Sequence, residues 1–258
     1  MPRGCDRRVK PPPFEYHCPT AIDEACALLG TLEDAKVLAG GQSLVPLLNF
    51  RLARPAHLVD INRLPGLDRI YERDGGVAVG ALARQAAVED SDLVARICPL
   101  LTEAMRLVAH RVIRNRGTVC GSLAHSDPAS ELAAVLLALG GHVIARSTRG
   151  ERVIPAEDLF KSVFETTLAP DELMVEAWFP APSGPFAIAE ESRRHGDFAL
   201  AGVVRVTDRL ALFGVAATPV LADPRDPTRG LNPSGDLEAS AEFRLHLVKV
   251  LTERVLAA

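Results

Sequence analysis

Two short stretches decide how this chain is read. One is Ala39-Gly40-Gly41-Gln42-Ser43. The other is Arg116-Gly117-Thr118-Val119-Cys120-Gly121-Ser122, with His125-Ser126-Asp127-Pro128 close behind. The first follows the apolar run Lys36-Val37-Leu38-Ala39, which reads as a strand, and precedes residues 44–52, which read as a helix broken before Pro55. Glycine admits positive φ and lets an anion approach the backbone amides closely. Ser43, Thr118 and Ser122 add hydroxyl donors. A helix opened at Ser43 would also turn its partial positive end toward the same place. Two such cradles suit a ligand with two phosphates, and a dinucleotide is the natural choice. Glycine pairs after strands also serve as plain turns, and the residues alone leave that reading open.

The usual dinucleotide signatures are missing. No GxGxxG lies between a strand and a helix, and there is no GxxxxGK[ST]. Asp60 falls near the distance of a Rossmann acid, but without the glycine fingerprint a Rossmann domain and a P-loop both lose support.

Working outward, Phe14-Glu15-Tyr16 reads as a short strand and Thr20 as the N-cap of a helix with Asp23 in its first turn, stopping near Gly30. With His57-Leu58-Val59-Asp60-Ile61 as a further strand, the opening segment is βαβ-like. Asp74-Gly75-Gly76 between Ile70-Tyr71 and Val77-Ala78-Val79 is a hairpin signal. Helical patterns follow at 83–89 and 99–108, and 114–124 reads as a polar, glycine-containing loop. Residues 130–139 read as a helix ended by Gly140-Gly141. Strands are expected at 142–146, 151–154 and 173–178. Ala181-Pro182-Ser183-Gly184-Pro185 marks a domain boundary. Strand-like runs at 186–190 and 198–206 follow, then a loop over 223–236. The last helix is expected from about Leu237, with Phe243, Leu247, Val250, Leu251 and Val255 on one stripe.

Composition narrows the class. The chain has 258 residues, 48% of them hydrophobic but only 5% aromatic, so its core must be aliphatic. A chain of this length buries ~70% of its extended surface and needs no disulfides. Its net charge of −4, with no dominant basic block, argues against a non-specific nucleic-acid binder. The five cysteines, Cys5, Cys18, Cys26, Cys98 and Cys120, include no CxxC pair, and their odd number fits a reducing compartment. Iron–sulfur and zinc spacings are absent. Arg7-Arg8 is followed by Val9-Lys10-Pro11-Pro12-Pro13 rather than an apolar run, so export is not expected. No apolar stretch approaches a membrane span. A cytoplasmic protein with a disordered leader over 1–13 is the expectation.

At the glycine stretches the chain resembles the FAD-binding (medium) subunit of molybdenum hydroxylases, in the branch of carbon monoxide dehydrogenase and the N-heterocycle dehydrogenases. The resemblance runs from Phe14 over nearly all of the remaining chain. It is carried by Ala39-Gly40-Gly41-Gln42-Ser43-Leu44-Val45-Pro46, Arg51-Leu52-Ala53-Arg54-Pro55 and Val79-Gly80-Ala81. Ile113-Arg114-Asn115-Arg116-Gly117-Thr118-Val119, Ser122-Leu123-Ala124-His125 and Asp127-Pro128 continue it. Arg193-Arg194-His195-Gly196-Asp197-Phe198-Ala199 fits the family's C-terminal domain.

The resemblance implies an α+β fold: a two-lobed FAD-binding domain of the PCMH/vanillyl-alcohol-oxidase type over 14–180, with lobes at about 14–61 and 62–180. A small α/β C-terminal domain over 185–258, shortened relative to the family, completes it. It implies that Ala39, Gly40, Gly41, Gln42 and Ser43 wrap the FAD pyrophosphate. Gly117, Thr118, Val119, Cys120, Gly121 and Ser122 would meet it from the other side. Asp127 and Glu131 would supply acidic contacts, and Ala109 and Leu168 backbone contacts, the latter near the isoalloxazine. It implies no catalytic residue and no metal in this chain. Molybdopterin would sit on a large partner subunit and [2Fe–2S] clusters on a small one, with FAD relaying electrons to an external acceptor. The readings beside it are a standalone flavoprotein oxidoreductase and a degenerate, non-catalytic subunit.

Three departures from the family stand out. Cys120 replaces the first of two adjacent glycines, and a side chain there would lie near the phosphate path, with strain if its φ is positive. The segment 205–230 is short. A lysine that some relatives carry near Ala189 is absent. Elsewhere, His125 reads as either a flavin neighbour or a structural histidine. Trp178 reads as strand core. Arg111, Arg114 and Arg116 read as phosphate-neutralising, partner-docking or simply solvated.

Overall fold

The computed structural model describes residues 10–258, so most of the expected leader lies outside the described residues. The chain opens with β1 (Glu15–His17), α1 (Ile22–Thr31), β2 (Ala35–Leu38), α2 (Leu44–Asn49) and β3 (His57–Asp60). These strands form a parallel sheet in the order β1-β3-β2, with Glu15 and Ala35 flanking His57. The βαβ reading therefore holds. The cap does not: α1 begins two residues after Thr20, at Ile22, and Ala21 precedes it without a side-chain cap. Thr20 instead donates its backbone N–H to the Glu24 carboxylate at 2.9 Å.

The next segment comprises β4 (Ile70–Arg73), β5 (Gly76–Gly80), α3 (Gln85–Glu89), α4 (Asp92–Ile97), α5 (Pro99–Leu107), α6 (Arg111–Arg114), α7 (Val119–His125) and α8 (Glu131–Leu139). Then come β6 (His142–Ser147), β7 (Gly150–Pro155), α9 (Ala156–Leu159), β8 (Phe160–Ser162), β9 (Glu165–Thr166) and β10 (Leu173–Pro180). An antiparallel sheet in the order β4-β5-β10-β6-β7 supports the helices. The hairpin turn is as expected, with Asp74 at φ 49° and Gly75 at φ 71° matching the twist of the strands it joins.

The expected loop over 114–124 is a loop only at 115–118, between the end of α6 at Arg114 and the start of α7 at Val119. Thr118 stands in extended conformation and its side chain accepts from the Gly121 amide, which starts α7. Glycine content suggested a loop. The cap chemistry of Thr118 decided for a helix.

The chain closes with β11 (Phe186–Ser192), β12 (Ala199–Val206), β13 (Arg209–Phe213), β14 (Val220–Ala222) and α10 (Ala241–Ala257). These four strands form one antiparallel sheet in sequential order. α8 packs against β12 and β13 on one side, and α10 against β11 and β12. Eight of the nine residues of α8 are buried, so this apolar helix ties the last sheet to the rest of the molecule.

The last helix starts later than Leu237, which is 99% exposed. Asp236 first accepts the amides of Glu238 and Ala239 in a turn, and Ser240 then caps the helix by accepting from Phe243 N at 3.2 Å. The expected stripe is rotated: Phe243 and Val250 are exposed, while Arg244, Leu247, Val248, Leu251, Thr252 and Val255 are buried. Arg244 takes the inner position because it has partners there, donating to Leu200 O at 2.5 Å and Gly214 O at 3.0 Å and pairing with Asp236 at 2.6 Å. Among the described residues no helix is long and apolar enough to cross a membrane.

This packing makes α8 the structural pivot. Leu136→Ala should cost ~2–5 kcal/mol in urea unfolding, whereas Leu237→Ala should change stability by less than ~0.5 kcal/mol. Equal midpoint shifts for the two variants would contradict the assignment of the core.

Candidate functional site

The two glycine stretches meet. Gly40 is buried at the end of β2, and a Cβ on it would stand 3.0 Å from Gly117 Cα and deep inside contact with the Arg116 carbonyl oxygen. Only glycine permits this backbone-to-backbone approach. Gly41 follows at φ +74°, a second requirement for glycine. In this segment the first amide bonded to backbone is Val45, which donates to Gly41 O at 2.9 Å. The amides of Gly41, Gln42, Ser43 and Leu44 have no acceptor among the described residues. Gln42 turns its own Nε2 toward Gly40 O at 3.3 Å, and Ser43 is exposed.

On the other side, Thr118 is the N-cap of α7 and Val119 and Cys120 are its first helical residues, so their amides lack intrahelical acceptors. Gly121 is fixed by the cap: a Cβ there would stand 2.6 Å from Thr118 Oγ1. Cys120 is helical, without positive φ, so the anticipated backbone strain is absent. It is 2% exposed, its thiol faces Val79 O at 3.5 Å, and burial pushes its ionisation far above the ordinary thiol range. Ser122 Oγ lies 3.2 Å from Ser130 Oγ.

A hydrogen-bond chain that the motifs did not reveal holds both segments. Arg84 Nη1 donates to Arg116 O at 2.8 Å and Nη2 to Asn62 Oδ1 at 2.7 Å. Asn62 Nδ2 in turn donates to Ala39 O at 2.9 Å and to Asp60 Oδ1 at 2.6 Å. Tyr16 OH completes the chain on Asp60 Oδ2 at 2.6 Å. Burial would raise the Asp60 carboxyl, but the hydrogen bonds from Tyr16 and Asn62 outweigh it and hold it below the usual range. Asp60 is thus a buttress rather than a ribose acid. The backbone adds another pin, Gln85 N donating to Gly117 O at 2.9 Å. The only advance signal for Asn62 and Arg84 was their polarity beside buried runs.

Between the segments lies an apolar slot of about 100 Å³, lined in part by Ala39, Ile61, Ala81, Cys120, Gly121 and Leu168. Such a slot holds only part of a drug-sized ligand, so the remainder would run along the open amides. A larger cavity of about 710 Å³ lies over the five-stranded sheet, against Tyr71, Arg73 and Glu176, and contains none of the candidate residues. It brings none of the anion-binding chemistry together.

The remaining candidates are dispersed around this centre. Ala109 is a non-glycine residue at φ 44°, and its carbonyl accepts from Arg114 at 2.9 Å. Asp127 Oδ1 accepts the Ala129 amide in a local turn. Glu131 is 8% exposed at the start of α8 and its carboxyl is pushed up to about 8, by burial first and then by Glu190. Burial likewise pushes Glu190 on β11 up to about 7, and its Oε2 has no hydrogen-bond partner among the described residues. His125 stacks on Phe164 with ring centroids 4.8 Å apart, a structural contact. Trp178 is partly buried and donates to Arg73 O at 2.8 Å. The arginine cluster divides: Arg111 and Arg114 pair with Glu89, with Arg114 buried, while Arg116 is exposed with no carboxylate partner among the described residues.

The residues fit a dinucleotide. Glycine-only close approach, open amides, an unpaired arginine and an apolar slot lie together at the carboxyl end of a parallel strand, where such ligands bind. Comparison with known proteins agrees. Residues 12–182 match the family described as the FAD binding domain in molybdopterin dehydrogenase. The chain is 40% identical to the 6-hydroxypseudooxynicotine dehydrogenase complex subunit alpha of Paenarthrobacter nicotinovorans, over 96% of this chain and 95% of that one. It is 40% identical to the carbon monoxide dehydrogenase medium chain of Hydrogenophaga pseudoflava, over 81% and 77%. A solved structure of carbon monoxide dehydrogenase from that organism superimposes with a TM-score of 0.91 at 35% identity, covering 96% of this chain and 97% of that one. The chain belongs to the FAD-binding medium subunits of the molybdopterin dehydrogenases, of the carbon monoxide dehydrogenase type, and is an oxidoreductase subunit.

Proposed function

We propose that this chain relays electrons within a molybdenum dehydrogenase. It would take them from [2Fe–2S] clusters on a small partner subunit, downstream of a molybdopterin-bearing large subunit, and deliver them to an external acceptor. FAD supplies the redox chemistry when bound; the protein supplies position and electrostatics. The observation that carries this reading is the contact of Gly40 with Arg116 and Gly117, which brings two sets of open amides to one place.

The roles of the residues follow from that contact. The amides after Gly40 and those of Val119 and Cys120 bind the pyrophosphate, with Ser43, Gln42 and Ser122 beside them. Arg116 offsets the phosphate charge. Arg84 and Asn62 keep the two segments in register. Ala39, Gly121 and Leu168 border the slot for the flavin end, and Glu131 and Asp127 supply the acidic contacts to FAD. In this reading residues 14–61 and 62–180 act as the two lobes, and 185–258 as a separate C-terminal unit. The degenerate-subunit reading rested on Cys120 and on the shortened C-terminal domain; the Cys120 thiol turns into the core toward Val79 O, which removes the first of these supports.

Expressed alone, the protein should be yellow and release FAD on denaturation, and tagged protein should retain molybdenum- and iron–sulfur-bearing subunits. A colourless protein that takes up no FAD would overturn the proposal; flavin without partners would favour the standalone reading. Gly40→Ala and Gly41→Val should both lose most bound FAD, measured as flavin per chain. Arg84→Met should lower FAD affinity by ~10-fold or more, since a charged hydrogen bond contributes ~1.5–3 kcal/mol.

Stability should also depend on pH. Unfolded, Glu131 ionises near ~4.3; folded, it holds its proton up to about 8. The folded state therefore binds more protons between these values, and stability falls as pH rises through that window. Glu131→Gln should flatten the fall between pH ~5 and ~8 in urea titrations. An unchanged slope would show that Glu131 is ionised in the folded protein.

A further inference from the structure

At the opposite end of the parallel sheet from Gly40, three metal-ligating side chains converge. Glu15 and His17 lie two apart on β1 and so share a face, and His57 sits beside Glu15 on β3. His17 Nε2 is 3.2 Å from His57 Nδ1, and His57 Nδ1 is 3.6 Å from Glu15 Oε2. The three ligand atoms all lie within 4.8 Å of one another. A tetrahedral ion with bonds of ~2.0–2.1 Å holds its ligand atoms ~3.3–3.4 Å apart. The two measured separations bracket that edge, and the Glu15 carboxylate on its exposed side chain supplies the remaining closure. His57 is largely buried, its side chain 18% exposed, while Glu15 is 75% exposed and leaves one side open to water. Cys18 does not compete: it lies against Tyr16, on the other face of β1.

We propose that Glu15, His17 and His57 form a site for a divalent transition ion of the Zn²⁺ class, with water in the fourth position. Two imidazoles and a carboxylate suit Zn²⁺ and disfavour Mg²⁺ or Ca²⁺. The site has a structural consequence. β1 is a three-residue edge strand with no buried residue, joined only to β3. A metal bridging Glu15 and His17 to His57 fastens that strand, and with it Tyr16, whose hydroxyl begins the hydrogen-bond chain to Asp60, Asn62 and Arg84.

The test uses the full chain, dialysed against chelator and titrated with Zn²⁺, and separately with Co²⁺ as a spectroscopic probe. The wild type should bind one equivalent of Zn²⁺ and develop the visible d–d bands of tetrahedral Co²⁺ without thiolate charge-transfer absorption. His17→Ala, on the short edge strand β1, should abolish those bands while the far-ultraviolet circular dichroism stays that of the wild type. It should also weaken Zn²⁺ binding at least ~10–100-fold, the loss caused by perturbing even an outer-shell partner. Glu15→Gln should weaken it less. Hydrogen exchange at Tyr16 and His17 should slow on adding Zn²⁺ to the wild type and not to His17→Ala. Equal Zn²⁺ uptake by both proteins, octahedral Co²⁺ spectra, or thiolate bands would each overturn the proposal.

Discussion

The approach of Gly40 to the Arg116–Gly117 backbone is the constraint on which the candidate site depends. One segment leaves a parallel sheet and the other enters α7 above an antiparallel sheet. Each alone is an ordinary turn. Pressed together without a side chain between them, they place two rows of amides around one volume, with the apolar slot beside it. Gly41 then turns the chain at positive φ into α2, and Gly121 leaves room for the Thr118 cap that starts α7.

Such a contact needs support, because two backbones in apposition bury polar groups that must find partners. Arg84 provides it by accepting burial beside Arg116. Its guanidinium is less basic than usual through desolvation and then that repulsion, and it bonds to both sides of the junction. Not every polar group is satisfied: Gln85 Oε1, beside Gly117, and Glu190 Oε2 are buried without partners among the described residues. The site region therefore concentrates unfavourable electrostatics, and the apolar packing around α8 offsets it.

Local features were legible in the residue order. Asp74-Gly75 specified a hairpin turn because two positive φ values are needed there. The apolar run through Leu136 specified a buried helix, ended by Gly140 in the left-handed conformation. The glycine stretches announced an anion cradle, and their order along the chain carried the family resemblance. The errors came where one local signal competed with another. Glycine content hid α7 behind a loop, although Thr118 was a strong cap. The terminal stripe was placed by hydrophobicity alone, and Arg244 displaced Phe243 because buried carbonyls awaited its donors.

The sequence by itself thus determined where the backbone must bend and which segments are buried, and it singled out the two glycine stretches as candidate anion cradles, because glycine, capping hydroxyls and apolar periodicity act over a few residues. The tertiary structure alone decided that Gly40 meets Gly117, that Asp60 is a buttress to Asn62, that Cys120 turns inward to Val79, and that His17 meets His57. Those pairings join residues far apart in the chain. They are set by sheet register and helix packing, which no single local pattern encodes.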